Sequence, residues 1–342
     1  MTKKCKVLYR TDQLTREEWL NARREGIGGS DAGVILGLSR FASPYSLWVE
    51  KSGLATDTFE GNEATQWGND LEPVIAARYA KTYNKAVVAV PVMLQSIANP
   101  FMLANVDFFI VTPSELYPEG VVTHVEEFEQ VEESIIAILE VKTNGLVGRA
   151  SREWDNNGIP KTYEAQGLHY CAVLHWVDVV VFAALIGGSG LQVRERLYKY
   201  DEVQHLIDAE RAFWRSVQDG NAPEPLGLDA DFDILKSQYP VSEPVSVEAD
   251  DFLYDTVQEY RRAKMHQEAA EQLVKELRAK IEASIGFASE LTFEGRTLLT
   301  YKSNKPGVKV DTKRLVEENP ELADRYKVET PGARVLRLKE EN

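Results

Sequence analysis

Two charged residues end an apolar run near the middle of the chain, in the stretch LEVKT at 139–143. Glu140 and Lys142 are two positions apart, so on a β-strand their side chains point to the same face. A second acidic residue, Asp107, follows another apolar run, FMLAN at 101–105. If the two strands pair, both carboxylates can share a hard cation, because oxygen ligands suit Mg²⁺ or Mn²⁺. Lys142 beside such an ion can orient or deprotonate an attacking water.

A third carboxylate, Glu72, lies on a predicted helix before these strands and could approach the same cation from another direction. Considered alone, a Glu-x-Lys pair on a strand is more often an ion pair than an active site. The order of elements favours an active site. In sequence these are a helix with Glu72, a strand before Asp107, the strand with Glu140 and Lys142, and a helix with Gln166.

Hydrophobic periodicity predicts the elements that must position these side chains. Helical spacing predicts a helix, a glycine turn and a second helix in 15–37, and further helices over 43–53, 63–84, 162–175 and 201–220. Strand-like runs occupy 85–94, 101–111, 134–143, 176–188 and 191–198. This alternation predicts a mixed α/β domain with helices on a small central sheet. The acidic segment 115–133 is expected to be a solvated hairpin extension.

The domain boundaries follow from a change in composition after the last of these helices. A main domain is predicted over 1–225, and a linker rich in proline and acidic residues over 226–250. A separate unit over 251–342 is predicted to contain a long helix, a hairpin and a further helical stretch.

Composition narrows the function classes. The 342 residues are 44% hydrophobic, without a run of about 18 apolar residues, so no membrane span is expected. The N-terminal residues lack the apolar stretch of a signal peptide, and the cysteines and histidines show no metal-type spacing, which favours a reducing cytoplasm. His169 lies one helical turn from Gln166, but it is interpreted as an ordinary packed or exposed histidine and not as a site residue. The net charge of −15 argues against bulk electrostatic binding of nucleic acid.

A glycine-rich stretch, GIGGSDAG at 26–33, precedes a predicted helix. Backbone N–H groups at a helix N-terminus bind phosphate oxygens, and glycine allows close approach. The stretch is not a P-loop, because no Gly-Lys-Ser/Thr follows. Capping of the helix by Ser30 and Asp31 is the more common role for such residues, so the residues alone leave both interpretations open.

Six passages in this order resemble the PD-(D/E)xK nuclease superfamily, and within it the YqaJ-type viral recombinases, which are relatives of phage lambda exonuclease. The passages are 23–48, 67–73 (WGNDLEP), 103–109 (LANVDFF), 139–144 (LEVKTN), 159–174 and 209–223. The resemblance implies a PD-(D/E)xK restriction-endonuclease-like core, which is a small mixed central sheet flanked by helices, with an appended α+β C-terminal unit.

The resemblance also implies roles for individual residues. The metal ligands are Asp107, Glu140 and the backbone carbonyl of Val141, and the cofactor is Mg²⁺ with Mn²⁺ as a substitute. The catalytic residues are Lys142, Glu72 and Gln166. The residues for a DNA 5′-phosphate are Ser30 with either Arg23 or Arg24. The chain departs from the family pattern around Asp107, where Val106 and Phe108 replace the residue types often found there.

The function implied is a Mg²⁺-dependent exonuclease that degrades linear double-stranded DNA in the 5′ to 3′ direction during phage-type recombination. Its setting is the cytoplasm of a bacterial host, encoded by a phage or prophage. Its partners are DNA ends and a single-strand annealing protein, with no membrane and with a ring trimer suggested by the family. Two alternatives stay open: a structure-selective endonuclease on the same core, and a catalytically inactive scaffold that binds DNA ends or proteins.

Overall fold

The computed structural model describes residues 4–54, 63–145, 153–154, 158–328, 332 and 334–339. The chain divides into two compact units, Met1–Gln238 and Tyr239–Asn342. Within the described ranges, no helix is both long enough and apolar enough to cross a membrane.

The first unit combines helices with two sheets. Its strands are β1 Cys5–Arg10, β2 Ala86–Ala89, β3 Val92–Ser96, β4 Leu103–Ala104, β5 Phe108–Val111, β6 Val122–His124, β7 Ile135–Asn144, β8 Val179–Ile186 and β9 Gly190–Leu197. Its helices are α1 Arg16–Arg24, α2 Gly29–Ile35, α3 Pro44–Lys51, α4 Glu63–Tyr83, α5 Lys161–Leu174, α6 Tyr200–Gln218 and α7 Asp229–Gln238.

The main sheet has six strands in the order β6-β2-β5-β7-β8-β9. The pairs β2/β6 and β7/β8 are parallel and the others are antiparallel. The central strand β8 is a continuous apolar run, and β7 is apolar from Ile135 to Leu139, as expected where helices cover both faces of a sheet. One face packs against Ile75 and Tyr79 of α4, and the other against Tyr170 and Leu174 of α5. The predicted fold class, a small mixed sheet flanked by helices, is confirmed.

A second, antiparallel sheet has the order β1-β3-β4. It contains an N-terminal strand that the sequence analysis did not predict. Each of two predicted strands is also divided into two, with one part in this sheet and the other in the main sheet. The run 85–94 separates at Pro91 into β2 of the main sheet and β3 of the small one. Proline lacks the N–H that a continuous strand would use in its ladder. The run 101–111 likewise becomes β4 and β5.

The acidic segment 115–133 is not a solvated hairpin extension, and that expectation was wrong. Its strand β6 pairs in parallel with β2 at the edge of the main sheet. Four of the apolar residues between its acidic positions are buried, namely Tyr117, Val125, Phe128 and Val131. The high glutamate content made the segment look solvent-exposed in the sequence, but these buried side chains pack it against the core.

The predicted linker at 226–250 contains helix α7, which belongs to the first unit. Asp231 of α7 is fully buried, and Ser43 Oγ at the start of α3 donates a hydrogen bond to its carboxylate. The other carboxylate oxygen accepts from the backbone amides of Leu226, Gly227 and Leu228 at 2.9, 2.9 and 3.1 Å. A single buried carboxylate therefore holds both the loop before α7 and the helix itself against the first unit.

The second unit contains the predicted long helix, α8 Asp251–Ile285, capped by Asp250, whose side chain accepts from Leu253 N at 2.8 Å. A hairpin follows, with strands β10 Glu290–Phe293 and β11 Arg296–Thr300. Its two central turn residues, Glu294 and Gly295, both have positive φ, at 49° and 76°. That backbone matches the twist of a two-residue hairpin turn. The helices α9 Thr312–Glu318 and α10 Pro320–Arg325 come after it.

Candidate active site

The structure brings Asp107, Glu140 and Lys142 together, as the strand pattern predicted. Asp107 immediately precedes β5, and β5 pairs with β7 so that Phe108 lies opposite Leu139. Asp107 Oδ2 accepts a hydrogen bond of 2.9 Å from the backbone N–H of Val141. Lys142 Nζ donates to Glu140 Oε1 at 2.6 Å. The antiparallel register therefore places the two carboxylates and the ammonium around the same end of the strand pair.

The carboxylate of Glu140 is the most deeply buried charge of this group, with 0% of the residue exposed. Its Oε2 has no hydrogen-bond partner among the described residues. Burial and the neighbouring charge of Asp107 raise the pKa of Glu140 to about 8. Burial also raises the pKa of Asp107, although Lys142 and the Val141 N–H oppose the shift. A buried acceptor without a donor is costly, so this oxygen favours a bound proton or cation.

Lys142 and Glu72 complete the charged cluster. Burial alone would lower the pKa of Lys142, but the charges of Glu140 and Asp107 outweigh it, so the pKa is raised and the group is an ammonium ion. Lys142 therefore serves as a donor and a positive charge, and it has no free lone pair to act as a base. Burial and the charge of Asp107 raise the pKa of Glu72 on α4 to about 7.

Helix α5 supplies the neutral part of the site. Gln166 Oε1 accepts from Lys142 Nζ at 3.1 Å, and Gln166 Nε2 donates to Tyr170 OH at 2.9 Å. The Tyr170 hydroxyl donates in turn to the backbone carbonyl of Asn105 at 2.8 Å. The Lys142 ammonium also lies 4.9 Å from the ring centroid of Tyr163. Neither tyrosine was predicted, although their positions three residues before and four after Gln166 put all three on one helix face.

The glycine-rich stretch borders the same site. A cleft of about 210 Å³ is lined by Asp107, Gln166 and Tyr170 on one side and by Arg23, Gly29 and Ser30 on the other, with five further residues. Arg23 donates to Ser30 Oγ at 2.8 Å, whereas Arg24 donates to Asn21 Oδ1 at 3.1 Å and is not among the lining residues. Of the two arginines left open by the sequence, Arg23 is the one that faces the cleft.

The start of α2 is capped by an aspartate. Gly28 is the N-cap residue, and its backbone N–H donates to Asp31 Oδ2 at 2.9 Å. The buried ammonium of Lys51 lies 2.8 Å from the same oxygen and also donates to the Arg23 carbonyl at 2.9 Å. Coulombic attraction to Lys51 and Arg23 outweighs burial and lowers the pKa of Asp31. Because Asp31 does the capping, the Ser30 hydroxyl is directed to Arg23 and the cleft.

Gly29 is required for the close approach of α2 to α5. A Cβ atom at this position would lie 2.6 Å from Cε1 of Tyr170 and 3.1 Å from Cγ of Gln166. Contacts under 3 Å are not tolerated without movement of one partner. The glycine therefore lets the turn and the residues beside Lys142 share one cleft.

The donor set suits a hard cation held by few protein ligands. Across the described ranges, no group of three His, Cys, Asp or Glu side chains has the geometry to hold a metal by itself. Mg²⁺ is ordinarily bound through one or two carboxylates, with water and substrate phosphate as the other ligands. Asp107 and Glu140, with the unpartnered Oε2, match that smaller requirement.

These features describe a mixed α/β protein with an acidic and lysine-containing site at one end of its central strands. The profile of the YqaJ-like viral recombinase domain matches residues 18–175. The uncharacterized protein YqaJ of Bacillus subtilis (strain 168) is 30% identical over 335 residues, which cover 96% of each chain. The chain belongs to the YqaJ-like viral recombinase family, as the six sequence passages predicted.

Two similar solved structures are of the alkaline exonuclease LHK-Exo from Laribacter hongkongensis. One has 14% sequence identity and a TM-score of 0.44, covering 66% of this chain and 100% of the other. The second, a complex with dAMP, has 13% identity, the same TM-score of 0.44 and the same coverage of 66% and 100%. At these values the likeness carries no conclusion about activity.

Proposed function

We propose that the chain is a Mg²⁺-dependent exonuclease that hydrolyses phosphodiesters of linear double-stranded DNA from the 5′ end. The observation that carries the proposal is the buried, unpartnered Oε2 of Glu140 beside Asp107 and Lys142. A purely structural ion pair would not need a second, half-buried carboxylate next to it. A hydrolytic site needs both, because two carboxylates can hold the cation while an ammonium faces the phosphate.

The proposed ligands are Asp107 and Glu140, with the Val141 carbonyl as a third. When bound, Mg²⁺ would supply Lewis-acid polarisation of the scissile phosphate and a water of lowered pKa. Lys142 would donate from its ammonium to a phosphate oxygen as negative charge develops there. Gln166 holds that ammonium in place from α5. Glu72, with its pKa near neutrality, is suited to accept a proton from an attacking water.

The proposed direction of digestion rests on the cleft that joins the site to the glycine turn. Arg23 and Ser30 line this cleft together with Asp107, so a terminal phosphate held by them would lie beside the carboxylates. An arginine–phosphate contact is a charge-assisted pair and is geometrically specific. A single-strand annealing partner and a ring trimer stay predictions of the family resemblance.

The proposal is tested with purified full-length protein on matched linear and covalently closed circular DNA, each with Mg²⁺ or with EDTA. We expect digestion of linear DNA alone, dependent on Mg²⁺, and lost in Glu140→Gln. The exposed variant Lys161→Met, also on a residue that forms an ion pair, is the matched control and should retain activity. Cutting of circles would establish an endonuclease instead. Binding of DNA ends without cleavage under any metal condition would establish a scaffold.

A further inference from the structure

A second ionisable pair is fully buried between helices α5 and α6, and it has no role in the proposed hydrolysis. His169 of α5 and Glu210 of α6 are both 0% exposed. His169 Nδ1 lies 2.8 and 3.0 Å from the two carboxylate oxygens of Glu210. The opposite ring nitrogen, Nε2, lies 2.8 Å from the backbone carbonyl of Leu103 in β4. A carbonyl can only accept, so Nε2 carries a proton and donates it to Leu103.

The pair joins the helix that contacts Lys142 to the strand that leads to Asp107. Leu103 precedes Asp107 by four residues. The next residue along α5, Tyr170, donates to the carbonyl of Asn105 in the same segment. The carbonyls two positions apart are therefore both held by consecutive residues of α5. Gln166, one helical turn earlier, contacts Lys142.

Burial of an ionisable pair is a poor way to gain stability, because desolvation offsets the attraction between the partners. Such a pair does fix the imidazole ring of a histidine, because a hydrogen-bonded partner on one ring nitrogen sets the orientation of the ring and the role of the other nitrogen. Glu210 does this for His169, because one proton lies between Nδ1 and the Glu210 carboxylate while Nε2 keeps its own proton and donates it to the Leu103 carbonyl.

We propose that His169 and Glu210 are positioning residues, which fix Asp107 relative to Gln166 and Lys142 by holding the backbone of β4 to α5. Glu210 orients the imidazole, and the imidazole holds the strand. The inference rests on the proposed nuclease function for its kinetic consequence, whereas the structural clamp can be tested without any activity.

The test compares His169→Gln with His169→Asn in the full-length protein. The glutamine amide reaches the place of Nε2 and keeps a donor for Leu103, whereas the shorter asparagine amide replaces Nδ1 and keeps only the contact with Glu210. We expect kcat on linear DNA to fall about tenfold further in the asparagine variant, with KM for DNA within about twofold of wild type. A role confined to neutralising Glu210 predicts the reverse order.

The control is Tyr198→Phe. The buried Tyr198 hydroxyl donates to the Glu164 carbonyl of α5 at 2.8 Å and not to the strand that leads to Asp107. This variant should melt at a lower temperature but keep kcat within about twofold, because it loses one neutral hydrogen bond to α5 and leaves both bonds from α5 to the strand before Asp107 intact. A fall in kcat equal to that of His169→Asn would overturn the positioning role and assign the effect to general loosening of α5.

The second readout is amide hydrogen exchange in residues 101–109 of the metal-free protein without DNA. Exchange should be faster in His169→Asn than in His169→Gln and unchanged in Tyr198→Phe. Equal exchange in the two histidine variants would overturn the clamp even if the nuclease function stands. If wild type cuts no DNA, the proposed function fails, and this exchange comparison still decides the clamp.

If neither histidine variant folds, Glu210→Gln and Glu210→Leu give the same test. The glutamine amide can donate to Nδ1 and keeps the proton on Nε2, whereas leucine leaves Nδ1 without a partner. We expect wild-type exchange of residues 101–109 in the first variant and faster exchange in the second. Identical exchange in the two would overturn the inference.

Discussion

Lys142→Met removes one positive charge from beside the carboxylates of Glu140 and Asp107 while it keeps a side chain of similar length. In the structure Lys142 Nζ lies 2.6 Å from Glu140 Oε1, and Glu140 is 0% exposed. Above the raised pKa of Glu140, removing Lys142 leaves a buried carboxylate charge uncompensated, which costs about 3–5 kcal/mol. At about 2–4 °C per kcal/mol for a unit of this size, the metal-free variant should melt roughly 6–20 °C below wild type at pH 9.

This loss should depend on pH. In wild type the pKa of Glu140 is raised from an ordinary value of 4.5 to about 8, so the folded protein binds a proton more tightly there than the unfolded chain does. Stability from a carboxyl with a raised pKa is fully present below the unfolded value and is lost as pH rises through the folded value. Without Lys142 the folded pKa moves higher still. The variant should therefore melt near wild type at pH 5 and furthest below it at pH 9.

The assay is scanning calorimetry in EDTA at pH 5, 7 and 9. Lys161→Met is the matched control, since its Nζ also lies 2.6 Å from a carboxylate oxygen, of Glu164, but its side chain is 71% exposed. That surface pair should contribute at most about 1 kcal/mol. The double variant Lys142→Met with Glu140→Gln should recover most of the stability and none of the activity. A loss at pH 9 no larger than that of Lys161→Met would refute the reasoning.

Asp107→Asn should abolish Mn²⁺ binding in a calorimetric titration, because such sites use only one or two carboxylates; unchanged affinity would place the metal elsewhere. Arg23→Gln should remove a preference for 5′-phosphorylated over 5′-hydroxyl ends of about 10- to 100-fold, whereas Arg24→Gln should keep it. Equal losses in the two variants would contradict the choice of Arg23. A chain ending at residue 240 should melt cooperatively, and one ending at 225, which lacks Asp231, should melt at a lower temperature by calorimetry; equal melting would contradict the boundary after Gln238.

The part of the site that follows strand periodicity could be predicted from the sequence. The two-residue spacing of Glu140 and Lys142 and the apolar run before Asp107 both depend on local geometry, and the pairing of β5 with β7 completes the arrangement. The family resemblance added Gln166, which the structure places against Lys142. The metal and phosphate roles of these residues stay predictions.

The contacts that hold the site together could not be predicted, because they join distant residues to backbone atoms. His169 reaches a carbonyl 66 positions away and a carboxylate 41 positions away. Nothing in its local pattern distinguishes it from an ordinary packed or exposed histidine, which is how the sequence analysis interprets it. The division of a predicted strand at Pro91 was readable from the missing N–H, but the assignment of its halves to two sheets depends on tertiary packing.

The segment before Asp107 is held from both sides, and this links the cleft beside the glycine turn to the carboxylates. On one side, Ile27 N donates to the Phe101 carbonyl at 2.7 Å, and Leu103 N donates to the Ile27 carbonyl at 2.8 Å. On the other side lie the two bonds from α5. Because Ile27 directly precedes the N-cap of α2, any movement of the glycine turn would be transmitted to the strand that leads to Asp107. A terminal phosphate bound at the turn would therefore lie at a fixed distance from the proposed metal ligands, as the proposed removal of nucleotides from a DNA end requires.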